Sequence, residues 1–199
     1  MTRTLLKRFT TRAALLTAAM TMAGCAANYS TANASTVLLI IADINAGTAL
    51  KSDVLKGGAV FNDPVIMRLA VRFKNVNIGT TPQIPSAVII ERYEIAYRRS
   101  DGRGVEGQDV PFKISGNLTL GVDVTESSLT PLTVDFVRAQ AKLEPPLRTL
   151  RGAATNTLGG ALVVTMIADI TLHGRTISGQ PVTAKGSLQI DFADYGDDA

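Results

Sequence analysis

The sequence ALVVTMIADITLHG, residues 161–174, carries a two-residue period. Leu162, Val164, Met166, Ala168, Ile170 and Leu172 share one parity, while Thr165, Asp169, Thr171 and His173 share the other. A strand points alternate side chains to opposite faces, so this period of two predicts a half-buried β-strand. The same period recurs on both sides of it. PVTAKGSLQIDF (181–192) turns Val182, Ala184, Leu188, Ile190 and Phe192 inward, and PLTVDF (131–136) does the same with Leu132, Val134 and Phe136. PFKISGNLTLGVDV (111–124) alternates throughout, with Phe112, Ile114, Leu118, Leu120, Val122 and Val124 on one side and a break or bulge expected at Gly116-Asn117.

Further upstream, AVIIERYEIAYRR (87–99) sets Ile89, Tyr93, Ile95 and Tyr97 on one face, and VIMRLAVRF (65–73) sets Val65, Met67, Leu69, Val71 and Phe73 on one parity. VLLIIADI (37–44) is a continuous apolar run, read as a first strand buried on both faces or as a short helix. Residues 45–58 read as a loop, and SDGRGVEGQD (100–109) as a turn-rich connection. Only VRAQAKLEPPLRTLRG (137–152) departs from strand character. Its helix formers, interrupted by Pro145-Pro146, predict one or two short helical turns crossing between sheets. About seven short strands with short connections predict an all-β fold, a single immunoglobulin-like antiparallel β-sandwich with one short helical crossover.

The chain has 199 residues, enough for roughly one domain of about 100–200 residues. Its formal charge of +3 is misleading. Arg3, Lys7, Arg8 and Arg12 all precede position 13, where no acidic residue lies. Beyond residue 24 the balance turns slightly acidic, so no net positive footprint for nucleic acid remains.

The first 24 residues have the layout of an export signal. A basic start, MTRTLLKR, precedes the apolar run AALLTAAMTM (13–22), which is shorter than the roughly 20 residues a membrane-crossing helix needs. Small residues then lead to the sole cysteine in Met22-Ala23-Gly24-Cys25. This resembles a bacterial lipobox. The resemblance implies cleavage of a signal helix (1–24) and lipidation of Cys25. Two or more acyl chains there hold a protein stably at a membrane. Ala26 and Ala27 lack the Asp that in enterobacterial lipoproteins signals inner-membrane retention, so the same resemblance favours the outer membrane. Residues 25–35 read as a flexible tether, 36–193 as the sandwich and 194–199 as an acidic tail.

Two further resemblances follow from the strands. Tyr93, Ile95 and Tyr97, followed by a turn, resemble the Tyr-x-Val-x-Tyr strand of fibronectin type III domains, without the usual core Trp. DGRGVEGQDVPF, VRAQAKLEPPL and SLQIDFADYGD resemble a set of uncharacterised bacterial lipoproteins, which implies no activity.

His173 is the only histidine, and its place before Gly174 reads as a strand end facing water. No Ser lies in a G-x-S-x-G elbow. Glu91, Glu94 and Glu106 could supply paired carboxylates, but the chain has no Trp to build a sugar platform. The glycines of GRGVEGQ join two strands and fit no phosphate loop. Asp43 and Asn45 read as a turn, and the terminal Asp191, Asp194, Asp197 and Asp198 as solvated charge rather than a Ca²⁺ site. Arg98, Arg99 and Arg103 form a small basic patch, a surface for an acidic glycan or lipid phosphate or simply a protected strand end. The expectation is a non-enzyme without metal or cofactor. It would be a lipid-anchored binding or structural module of the envelope whose partner is another envelope protein. The alternatives are an accessory lipoprotein assisting an outer-membrane or secretion complex, or a small-ligand carrier or hydrolase.

Overall fold

The computed structural model describes residues 35–74, 87–124, 128–152 and 162–195. The fold is an all-β sandwich of two sheets. β1 (Val37–Ile44), β3 (Asp63–Phe73) and β6 (Thr130–Val137) form one sheet in the order β1-β3-β6. β2 (Leu50–Asp53), β4 (Val88–Arg99), β5 (Ile114–Val122), β7 (Val164–Thr176) and β8 (Pro181–Ala193) form the other, in the order β2-β8-β7-β4-β5. A single short helix, α1 (Ala139–Leu143), and a 3-10 turn at Leu147–Leu150 carry the chain from β6 to β7, from one sheet to the other. The helix stops before Glu144, which is extended ahead of Pro145 as the residue before a proline should be.

The strands alternate largely as their sequences dictate. Met67 and Leu69 from one sheet meet Met166, Ala168, Ile170, Leu172 and Ile190 from the other in one continuous core. Tyr97 ties the layers by a polar bond as well, because its hydroxyl on β4 donates to the Phe136 carbonyl on β6 at 2.5 Å.

Several positions differ from the sequence reading. The stretch assigned to a loop contains β2, which pairs in parallel with the end of β8 from Leu50↔Ile190 to Asp53↔Ala193. The described residues therefore form eight strands, and the sandwich is not wholly antiparallel. LKSD is too short and too polar to show a period, and only the edge offered by β8 makes it a strand. β1 is not covered on both faces; Val37 and Leu39 are buried while Leu38 and Ile40 are exposed.

In β4 the register shifts between Ile90 and Arg92, leaving Glu91 as a bulge. The extra residue reverses parity. Val88 and Ile90 therefore face the core before the bulge and Ile95 and Tyr97 after it, while Ile89, expected inward, is displaced. β5 runs on through Gly116, which lies opposite Tyr93, and its register with β4 shifts just beyond Asn117, between the Arg92↔Asn117 and Ile90↔Leu120 pairs, next to the bulge expected at Gly116-Asn117. A Cβ at Gly116 would overlap the Tyr93 phenol ring, so the missing side chain makes room for the aromatic. Phe112 and Leu162, both expected inward, precede the first residues of β5 and β7 and are exposed.

The strand directions give the sandwich two distinct ends. Ser35, Phe73, Val88, Val122 and the β7–β8 turn lie at the end where the chain enters. Asp63, Arg99, Ile114, Val137, α1 and the close of β8 lie at the other.

Candidate functional site

Among the described residues, the end opposite Ser35 carries seven of the thirteen exposed large apolar side chains. Phe61 follows β2, Val105 and Phe112 sit in the β4–β5 connection, and Leu143 closes α1. Leu162 and Val163 lead into β7, and Tyr195 follows β8. Exposed apolar residues scattered singly are ordinary, and it is their gathering at one end of a small domain that makes this end the candidate interaction surface.

Local sequence holds this end in shape. The β4–β5 connection turns at Gly102 and Gly107, both with positive φ, where glycine carries no Cβ penalty. The Phe112 ring lies over Gly107, where a Cβ would collide with it. The backbone N–H of Val105 donates to the Asp109 carboxylate, and the N–H of Asp109 donates back to the Val105 carbonyl at 2.8 Å. A cleft of about 140 Å³ runs between this connection and α1, lined by Pro111, Phe112, Ile114, Arg138, Ala141 and Glu144 among others. It is smaller than the roughly 300–1,000 Å³ of most small-molecule sites and suits a single inserted side chain.

The basic patch expected at Arg98, Arg99 and Arg103 lies at this end, yet it does not act as free positive charge. Arg98 Nε donates to Asp169 at 2.9 Å across β4 and β7. Arg103 grips Asp101 with Nε at 3.0 Å and Nη2 at 2.7 Å, and Arg99 Nε stands 3.2 Å from the same carboxylate. The side-chain and backbone N–H groups of Arg103 hold the Asp101 carboxyl down at about 2. Sequence reasoning missed Asp169 because it is 71 positions from Arg98 and meets it only through strand pairing, whereas Asp101 lies two residues from both Arg99 and Arg103.

Beneath the end lies a buried polar cluster that carried no sequence signal. Lys142 of α1 is 1% exposed, and its Nζ donates to Asp63 Oδ1 at 2.8 Å. The buried Ser52 hydroxyl of β2 donates to the other carboxylate oxygen at 2.5 Å. Asp63 thus links β2, β3 and α1. Tyr97 stands close enough to feel it. Burial pushes the phenol above its ordinary value, Arg138 draws it back, and Asp63 adds to the rise.

The remaining candidates are placed elsewhere. His173 lies within β7, three residues before its end, between Arg92 and Thr183 on the neighbouring strands. This corrects the strand-end reading. Gly174 is a strand residue beside the β4 bulge, and a Cβ there would run into the Ile89 carbonyl. His173 Nε2 is enclosed without a hydrogen-bond partner. Glu91 pairs with Arg175 and Glu94 with Arg92 on the outer surface. Asn45 turns the chain as expected, bonding Thr48 through its side-chain amide at 3.0 Å. Asp191 accepts from Thr165 and Gln189, and Asp194 from the Gly152 N–H. Among the described residues no group of three or more His, Cys, Asp or Glu side chains converges as a metal site. Cys25, the signal, nearly all of the tether, Asp197 and Asp198 lie outside the described residues.

No known protein-family model matches the chain, and no curated protein matches it in sequence.

Proposed function

We propose that this chain is a lipid-anchored protein of the bacterial envelope, held at Cys25 and favouring the outer membrane. Its sandwich acts as a non-catalytic binding module for another envelope protein. The observation that carries this reading is the polarity of the domain. The chain that leads from Cys25 enters at one end, and the exposed Phe61, Val105, Phe112, Leu143, Leu162, Val163 and Tyr195 sit at the other. An anchored module is best served by recognition at the end its anchor leaves free. Aromatic side chains beside a small cleft are typical of the central anchors of protein interfaces. The kinship with immunoglobulin-like and fibronectin type III sandwiches belongs to the same reading and rests on Tyr93, Ile95 and Tyr97.

The test is site-specific photo-crosslinking in intact cells. A photoreactive residue at Phe112 should give one discrete adduct with another envelope protein. The same residue at Lys185, on the outer surface of β8, should give none. Equal adducts from both positions, or none from Phe112, would reject the assignment of the partner to this end.

A further inference from the structure

The two outer faces of the sandwich differ in kind. The outer face of the five-stranded sheet is largely polar and laced with bonds: Arg98 and Ser187 both reach Asp169, Arg175 reaches Glu91, and Thr165 reaches Asp191. The outer face of the three-stranded sheet is mostly apolar. Leu38 and Ile40 of β1 and Ile66 of β3 stand exposed on it, Ile66 at 57%. Leu38 lies opposite Arg72, Ile40 opposite Ala70 and Ile66 opposite Thr133, so these side chains share one surface. Arg68 and Arg72 rise between them, with Lys74 just past the end of β3. Asp43, paired with Arg68 at 2.5 Å, and Asp135 are the carboxylates near it.

We propose that this face is a membrane-contact surface, lying on anionic lipid headgroups beside the anchor. The inference rests on the lipid-anchor reading of Cys25. Nine residues, ten Cα–Cα steps, separate Cys25 from Ser35 and extend at most about 35 Å, whatever their path. The chain then enters the domain at β1, the edge strand that carries Leu38 and Ile40. A domain so tethered is never far from the lipid surface, and the sheet that leads from the tether is the one with apolar side chains outward. Leu38, Ile40 and Ile66 interleaved with arginines suit the boundary between acyl chains and anionic headgroups, where apolar contact and charge attraction act together. The ion-paired face of the other sheet offers neither. Lying on this face, the domain holds its far end beside the membrane rather than out in solvent. That places the apolar crown at the level of a membrane-embedded partner.

The natural chain has no Trp, so a single introduced indole reports its own surroundings. The acylated full chain, carrying Ile66→Trp or Lys185→Trp, is reconstituted into phosphatidylethanolamine–phosphatidylglycerol vesicles with brominated acyl chains. Ile40→Trp serves as a second probe of the same face should Ile66→Trp fail to fold. The expected result is quenching at least about twofold stronger for the Ile66 or Ile40 probe than for the Lys185 probe, as for side chains seated at the acyl boundary. The difference should shrink when phosphatidylcholine replaces phosphatidylglycerol. Equal quenching of both probes would overturn the proposal. So would a blue-shifted, unquenched indole at Ile66, which would mean that protein covers the face, either a second copy or another segment of this chain. A chain that carries no acyl mass and does not float with vesicles overturns the anchor itself, and the membrane face with it. Acylated, floating protein with equal quenching overturns the face alone.

Discussion

Lys142 is the residue whose burial asks most of its surroundings. A charged group taken from water is costly unless it is paired, and here Asp63 supplies the pair while Ser52 satisfies the second carboxylate oxygen. Removing one partner strands the other. Lys142→Met should therefore cost about 3–5 kcal/mol of unfolding free energy, whereas Lys142→Met with Asp63→Leu should recover a large part of it. Urea denaturation of both variants checks this; equal losses would mean that the pair shapes the site through more than its charge. Asp101 is the opposite case, an exposed carboxylate held chiefly by Arg103 with Arg99 beside it. Its carboxyl should titrate at about 2 by NMR in the natural protein and return toward 3.8 in Arg103→Ala. A lowered carboxylate favours the folded state above its unfolded value and loses that contribution as pH falls through about 2. At so exposed a position the shift marks a local hydrogen bond rather than a source of stability.

Strands show where the period of two is dependable. β7 and β8 read correctly from sequence because each is long, paired along its length with at least one neighbour and buried on one face only. Ile170→Ala should thus cost about 2–5 kcal/mol, through lost transfer energy and an unfilled cavity. Thr171→Ala on the outward parity should cost little. Leu162 shares the sequence parity of Ile170 but precedes the strand and stands 51% exposed, so Leu162→Ala should also be near neutral. Thermal unfolding of the three variants distinguishes the observed strand limit from one in which alternation runs through from residue 162. Periodicity fails for physical reasons at three places. A parity pattern has no way to mark a bulge, so Glu91 moves Ile90 rather than Ile89 into the core. A four-residue parallel strand such as β2 is specified by its neighbour and not by its own residues. An apolar run such as VLLIIADI looks doubly buried in sequence whenever its outward face is apolar for another purpose. The candidate site was legible only in part. Arg98 and Arg99 close β4 and Arg103 follows it in the β4–β5 connection with Asp101 between them, but the Arg98–Asp169 pair and the Lys142–Asp63–Ser52 cluster join positions up to 90 residues apart.

On the scale of the whole molecule, two bonds of different nature hold the parts in relation. Inside the domain, Tyr97 spans the layers. Its phenol is raised above its ordinary value of 10.0, so the folded state keeps that proton to higher pH than the unfolded chain does. The contribution is complete below about 10 and is lost as pH rises beyond it. Natural protein should lose more of its urea midpoint between pH 8 and pH 11 than Tyr97→Phe does, although the variant starts lower by about 1–3 kcal/mol for the unsatisfied Phe136 carbonyl. Outside the domain, the proposed link is covalent. A lone Cys after a basic start and a short apolar run has no disulfide partner within the chain, and lipidation gives it a use that burial does not. Cys25→Ser should then leave an unprocessed precursor or a protein released from the membrane, with the sandwich itself folded to the same thermal midpoint. Intact-mass measurement of the natural mature protein checks the other half, with an N-terminus at Cys25 and the added mass of its acyl chains. A mature chain that begins elsewhere without that mass would remove the anchor, and with it the reason for recognition at the end of the sandwich far from Ser35.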